Sequence, residues 1–289
     1  MAVLERPDLR LVSTASGPVR VRDTGGDGPP VLLVHSLLVD PDLYASVVPL
    51  LVARGYRCLV PELPFGAHAV PAPDDADLTP PGLARLLVHV LDALDVPVAH
   101  VVGVDTGGAL TQLLMWQHRD RVGDVVLTAC DAYDAFPPRS FGWALPLLRA
   151  RGVLEAAGLA LRLRLLRRIV LPRPITHRGV DDATVERWTR PLRDPLVRRD
   201  LRAVLAGMHA SHTLAAAAAN RDFPRPVLIA WGDDDRAFPR RLGERLAVDL
   251  PHARLVTLAD CAAFAAVDQP GRLAELVDEH LRLRVPVPV

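Results

Sequence analysis

The chain contains no lysine: all 34 of its basic residues are arginine, and 34 acidic residues balance them to a formal net charge of zero. That balance excludes the basic surface that grips a nucleic-acid backbone, and nothing in it suggests steering of a strongly charged partner. The arginine bias, with abundant alanine and 27 prolines, reads as codon usage and says little about function. Cysteine is scarce as well. Cys58, Cys130 and Cys261 lie far apart, each in or beside an apolar run and without Cys-x-x-Cys or histidine spacing. They are expected to be buried, reduced small hydrophobes, not metal ligands. No apolar run approaches the roughly 18 residues of a membrane span. Met1 to Leu11 alternates charged and apolar residues where a signal peptide would show a basic stretch followed by an apolar one. The expectation is a cytoplasmic chain that binds neither nucleic acid nor membrane, uses no cofactor, and exists as a monomer or homodimer.

With 289 residues, half of them apolar, the chain suits one large α/β domain or a core carrying an insertion. Leu9–Thr14 and Val19–Asp23 read as two short antiparallel strands. Beyond the turn at 25–30 the pattern changes to continuous apolar runs of strand length: Val31–His35, Cys58–Pro61, the run ending at Asp105, Val125–Cys130, Val227–Trp231 and Arg254–Leu258. Such runs fit strands covered on both faces of a parallel sheet. Helical spacing alternates with them at 41–54, 82–94, 108–118, 240–249 and 270–283, the order of a doubly wound sheet.

Pro137-Pro138 interrupts the alternation. Helical segments without an intervening strand follow at 145–150, 152–171 and 183–190, so residues 137–205 are expected to form a helical cap inserted between core segments 1–136 and 206–289. From 139 to 202 there are 15 arginines against 6 acids. Most of those arginines should face solvent or pair with acids of the core.

Chemistry concentrates in Gly103-Val104-Asp105-Thr106-Gly107-Gly108. A strand, a sharp turn of small residues and a helix would thrust Asp105 out at the carboxyl end of the sheet. The competing reading makes Asp105 an ordinary helix N-cap. Asp131 directly follows one strand, and Asp235 closes the Gly232-Asp233-Asp234-Asp235 turn after another. All three carboxylates are expected to converge at one sheet edge.

The loop from His35, the 103–108 elbow, the helical insertion, the Trp231 to Pro239 turn and the Asp268-Gln269-Pro270 helix start occur in an order that resembles the α/β-hydrolase superfamily. The resemblance implies a mostly parallel eight-stranded sheet flanked by helices, with a cap, acting on a small-molecule substrate. An aspartate at the elbow is similar to the haloalkane dehalogenase and epoxide hydrolase branch, where the carboxylate attacks an sp³ carbon and forms an ester. It further implies an oxyanion site from the N–H of Thr106 and that of Ser36 or Leu37, with His35 beside them, and Asp235 or Asp131 as the acid orienting a base; His35 itself is expected to be a buried histidine that bonds backbone carbonyls of its loop and takes no direct part.

Where that branch carries the base histidine, this chain has Ala263, in Asp260-Cys261-Ala262-Ala263-Phe264. Hydrolysis of an ester would then lack general-base help, worth about 10²- to 10⁴-fold. His209 and His212, where the chain returns to the core, are candidate substitutes; the histidines at 68, 89, 100, 118, 177, 252 and 280 are expected in loops or on exposed helix faces. The tyrosines, at 44, 56 and 133, all precede the cap, unlike those of epoxide hydrolases. Thr106 stands where dehalogenases place a halide-binding Trp, leaving Trp143 and Trp188 in the cap to bind substrate. The readings that remain are hydrolysis with a substitute base, or a non-hydrolytic cyclisation, elimination or C–C cleavage with Asp105 as acid or base. The alternatives are a catalytically silent binding homologue and a variant inactivated by Ala263.

Overall fold

The unbroken apolar runs form the middle of the sheet because a strand covered on both faces has no polar side to offer water. In the computed structural model, which describes residues 9–138, 145–150, 152–160 and 175–282, the strands are β1 (Leu9–Thr14), β2 (Gly17–Asp23), β3 (Pro30–Val34), β4 (Arg57–Pro61), β5 (Ala99–Asp105), β6 (Val122–Cys130), β7 (Val227–Gly232) and β8 (Ala253–Leu258). They build one eight-stranded sheet in the order β1-β2-β4-β3-β5-β6-β7-β8. β2 pairs antiparallel with both β1 and β4, and the remaining neighbours are parallel. Every residue of β6 and β7 is buried, whereas edge strand β8 buries only Leu258.

The helices are α1 (Val48–Val52), α2 (Pro80–Ala93), α3 (Thr106–Gln117), α4 (Leu145–Arg149), α5 (Val153–Ala160), α6 (Asp182–Thr189), α7 (Pro195–Gly207), α8 (Ala210–Ala219), α9 (Arg241–Asp249), α10 (Ala265–Asp268) and α11 (Pro270–Arg282). The single helix predicted over 41–54 is instead a 3-10 turn, Pro41–Tyr44, followed by α1. Pro49 lacks the N–H that an unbroken helix would direct to the Ala45 carbonyl, so it sits in the first turn of a new helix. The predicted helix 152–171 is seen as α5, and its later part lies outside the described residues, as does Trp143.

α7 has no counterpart among the helical segments expected at 145–150, 152–171 and 183–190. Pro195 starts it instead of stopping it, occupying the first helical position while the Asp194 side chain accepts the Leu196 N–H at 2.8 Å. The helix crosses the boundary expected at 205/206.

Arginines of this region pair with acids, as anticipated. Arg187 reaches Asp40 at 3.0 Å and Asp42 at 3.2 Å, and Arg199 bonds both Asp200 and Asp74. A second apolar cluster, separate from the main core, joins Ala109 of α3 and Phe136 to Leu154, Val197, Leu201 and Leu205 of the inserted helices. It lies one turn beyond Asp105 and fixes those helices over the elbow. Two histidines expected at the surface are buried, His68 and His280. His68 is drawn inside by Asp200, whose Oδ2 lies 3.1 Å from Nε2, while Nδ1 accepts the Gly66 N–H at 3.2 Å. The three cysteines are buried and unpaired. Among the described residues no helix is long and apolar enough to cross a membrane.

Candidate active site

β5 ends at Asp105 and α3 begins at the next residue, so the reversal falls on one residue. Asp105 takes φ +53° and ψ −124°, a conformation that costs a residue with a Cβ about 1–3 kcal/mol. Close packing behind it enforces the turn. A Cβ on Gly107 would lie 2.2 Å from the Val34 carbonyl oxygen, and one on Gly108 would lie 2.3 Å from Cys130 Cβ. Asp105 occupies the N-cap position of α3, yet its side chain makes no capping hydrogen bond. The reading as an ordinary cap is overturned.

Strand register explains what surrounds it. Val34 pairs with Gly103, so Ser36 and Asp105 each lie two residues past a paired position and meet. The Ser36 hydroxyl donates to Asp105 Oδ2 at 2.5 Å. Asp105 also pairs with Cys130 in the register with β6, which brings Asp131 alongside Thr106. The Thr106 hydroxyl lies 3.4 Å from Asp105 Oδ1 and equally 3.4 Å from Asp131 Oδ2. Asp131 is fully buried, and its Oδ1 has no hydrogen-bond partner.

These contacts set the two acids apart. Burial raises the Asp105 pKa, while donors from Ser36, the Thr106 backbone and hydroxyl, and Asp131 oppose the rise. Asp131 is pushed well above the carboxylate range by burial first and by the Asp105 charge next. Of the two, Asp131 is the one held toward its neutral form, while the Ser36 and Thr106 groups beside Asp105 favour its charge.

Asp235 follows β7 and completes the row. Its Oδ1 accepts the N–H groups of Ala237 and Phe238 at 2.8 and 2.9 Å, while Oδ2 is buried without a partner. Burial raises its pKa to about 6, with the Asp105 charge contributing. Asp131, Asp105 and Asp235 all act on the buried Cys130 thiol and raise its pKa with the help of burial. The three carboxyls thus converge at the sheet edge as expected.

Ala263 is fully buried in the loop after β8. That loop is bound to the Asp235 turn: the Asp234 N–H donates to the Cys261 carbonyl at 3.1 Å, and the Cys261 N–H to Asp233 Oδ1 at 3.4 Å. Asp268 accepts the N–H groups of Ala262, His177 and Arg178 at 3.0, 2.8 and 3.0 Å.

Other candidates stand elsewhere. His35 is a loop brace: its Nδ1 donates to the Ser36 carbonyl at 2.8 Å and its Nε2 accepts the Leu63 N–H at 3.0 Å. With both nitrogens engaged and burial lowering its pKa to about 4, it offers a substrate nothing. Trp188 is corrected for the same reason, since its indole N–H donates to Asp40 Oδ1 at 3.0 Å. His209 is exposed at the start of α8, and the half-buried His212 bonds the Gly207 carbonyl. Among the described residues neither hydrogen bonds to Asp105, Asp131 or Asp235. The Thr106 N–H, expected to face a substrate oxyanion, helps to hold the Asp105 pKa down. Leu37 is half-buried and packs against both apolar clusters.

Sequence reasoning overlooked Gln112. Its Nε2 donates to the carbonyls of Asp131 and Gly108 at 2.8 and 3.1 Å, and Asn220 in turn holds the Gln112 carbonyl at 2.9 Å. The available signal was one amide two turns past Asp105 in an otherwise apolar helix stretch. Among the described residues no group of three or more His, Cys, Asp or Glu is arranged to hold a metal ion.

Comparison with known proteins bears on this geometry. The sequence profile of the family described as alpha/beta hydrolase fold matches residues 29–270. Haloalkane dehalogenase 2 of Mycobacterium tuberculosis is 27% identical over 282 residues, 94% of each chain. A 2-hydroxy-6-oxononadienedioate/2-hydroxy-6-oxononatrienedioate hydrolase of Cupriavidus pinatubonensis is 26% identical over 299 residues, 97% of each chain. Among solved structures, a point mutant of the meta-cleavage product hydrolase CumD superposes with a TM-score of 0.76 at 19% identity, covering 96% of this chain and all of that one. Sheet order, elbow and profile agree, and the chain belongs to the α/β-hydrolase fold family.

Proposed function

We propose that this α/β-hydrolase-fold enzyme transfers a proton to or from a small organic substrate through Asp105, in a non-hydrolytic elimination, cyclisation or C–C cleavage. The observation that carries this reading is the meeting of two acids at one Thr106 hydroxyl, which lies 3.4 Å from Asp105 Oδ1 and from Asp131 Oδ2, with Asp131 pushed well above the carboxylate range. Ionised Asp105 accepts a proton from substrate carbon or oxygen while Asp131 keeps its own. Returning that proton at another substrate atom restores the pair, so each cycle ends with the one proton it began with. Ser36 and Thr106 hold the base in one orientation and stabilise its charge. Ala263 supplies no group to activate water. The described helices α4 to α7, between β6 and β7, act as a lid that keeps the substrate against the pair and excludes solvent.

The strained elbow favours a second reading, in which Asp105 attacks an sp³ carbon and the resulting ester persists for want of a base. One experiment separates the two. A panel of carbonyl compounds with acidic C–H bonds is incubated with the protein in D2O, and deuterium uptake is read by mass spectrometry beside the intact-protein mass after treatment with alkyl halides and epoxides. Proton transfer predicts uptake that vanishes in Asp105→Asn and no added mass on the protein. A stable adduct on Asp105 without uptake would establish the second reading instead.

A further inference from the structure

A cavity of about 490 Å³ lies between the loop after β6 and the segment that joins β7 to α9, within the range of about 300–1,000 Å³ in which proteins hold small molecules. Three arginines, Arg236, Arg241 and Arg245, line it against a single acid among the described residues, Asp134. Three against one leaves an excess of two positive charges around one opening. Since the whole chain has a formal net charge of zero, that excess is a local feature. The three arginines are not equivalent. Arg236 meets Asp234 at 3.4 Å and Arg245 meets Asp249 at 3.7 Å, through side chains that stay largely in water. Arg245 also lies over the Tyr133 ring, 3.7 Å from its centroid, and this holds its guanidinium at the wall. Among the described residues Arg241 has no ion-pair partner. The floor is apolar: Phe238 and Leu242, both anchored in the core, form it beside Pro239.

We propose that this cavity is a binding site for an organic carboxylate, which lays its apolar body on Phe238 and Leu242 and bonds the Arg241 guanidinium through its carboxylate, with Arg236 and Arg245 completing the positive rim. The chemistry matches in three respects. A planar guanidinium offers two parallel N–H groups to the two oxygens of a carboxylate, and Arg241 has no acid to give up for it. Exposed pairs such as Arg236–Asp234 are worth little, so that arginine can turn toward a second anion at small cost. An inorganic anion would use the charge and leave the apolar floor to water, whereas an uncharged apolar molecule would cover the floor and leave the charge unused. The wall includes Ala237 and Phe238, whose N–H groups hold Asp235 Oδ1. The site therefore adjoins the row of carboxylates, but neither Asp105, Asp131 nor Asp235 lines it. It stands independently of the proton-transfer reading.

The probe is 2-naphthoate, titrated by isothermal calorimetry into the full-length protein at neutral pH. Beside it run 2-naphthamide, which keeps the rings and lacks the charge, and inorganic phosphate, which has charge and no rings. Wild type should bind 2-naphthoate at least about tenfold more tightly than either control. Arg241→Gln should weaken 2-naphthoate at least about tenfold and leave the amide unaffected, and Arg241→Lys, which keeps the charge without the fork, should lose less. Asp105→Asn should bind 2-naphthoate as wild type does. Arg241 is exposed, so its replacement spares the core, and melting curves establish that each variant is folded. Absence of 2-naphthoate binding to wild type, equal binding of the amide or of phosphate, or an unchanged affinity in Arg241→Gln would overturn the site. Binding lost in Asp105→Asn and kept in Arg241→Gln would place the anion among the carboxylates and overturn it equally.

Discussion

Ser36 and Asp105 are 69 residues apart in sequence and 2.5 Å apart in space, joined by a hydroxyl that donates to a carboxylate. Since the donor favours the charged form, its contribution depends on whether Asp105 is ionised. Ser36→Ala should therefore destabilise the fold more at pH 8 than at pH 5, by about 1.5–3 kcal/mol at the higher pH. Urea denaturation at the two pH values checks this, and an equal loss at both would contradict it.

Asp235 and His35 oppose one another across acidic pH. The Asp235 pKa rises on folding from 3.8 to about 6, so the folded chain binds the extra proton between those values. Its stabilisation is complete below about pH 4 and is lost as the pH rises through about 6. The His35 pKa falls from 6.5 to about 4, so here the unfolded chain binds the extra proton, and stability is lost as the pH falls below 6.5. Removing one member should expose the other. The stability of Asp235→Asn relative to wild type should increase by about 2 kcal/mol between pH 4 and pH 7, and a pH-independent difference would refute the assignment.

Asp131→Asn should keep the native fold, because an amide can donate to Asp105 as the protonated acid does. It also removes a buried group whose ionisation the fold resists. The variant should lose less stability than wild type as the pH is raised from 7 to 9, which thermal melts will reveal. Asp131→Ala removes the same ionisable group and should share this resistance, but from a lower stability at every pH, because it lacks the donor.

Gly107→Ala should cost about 2–4 kcal/mol, since the new methyl meets backbone carbonyl oxygens of Val34 and His35 that cannot rotate away. Gly271→Ala, in open space near the start of α11, should be neutral or stabilising by up to about 1 kcal/mol. Equal effects at the two positions would mean that the elbow is looser than its packing indicates.

The legible and illegible parts of the site differ in range. The strands could be read because Val31–Val34 and Val125–Cys130 declare their burial locally, and Asp131 and Asp235 because they directly follow such runs. The Ser36 hydroxyl contact could not, as it depends on Val34 finding Gly103 across the sheet. His68 misled for a related reason. It is polar by type, yet Asp200 satisfies it in the interior, whereas His35 is the buried brace of its loop that its place in the sequence suggests. α7 was missed because a proline in a run of helical spacing suggests a break, whereas the Asp194 cap makes Pro195 a start.

Asp268 ties the Ala262 amide to the amides of His177 and Arg178, so one side chain clasps the loop carrying Ala263 to the last segment before α6. Withdrawing the segment at 177–178 would strand Oδ1 in the interior, since Arg178 is its donor, while Oδ2 is shared by both sides. The two segments therefore behave as a fixed jamb, and a movement of one is felt by the other.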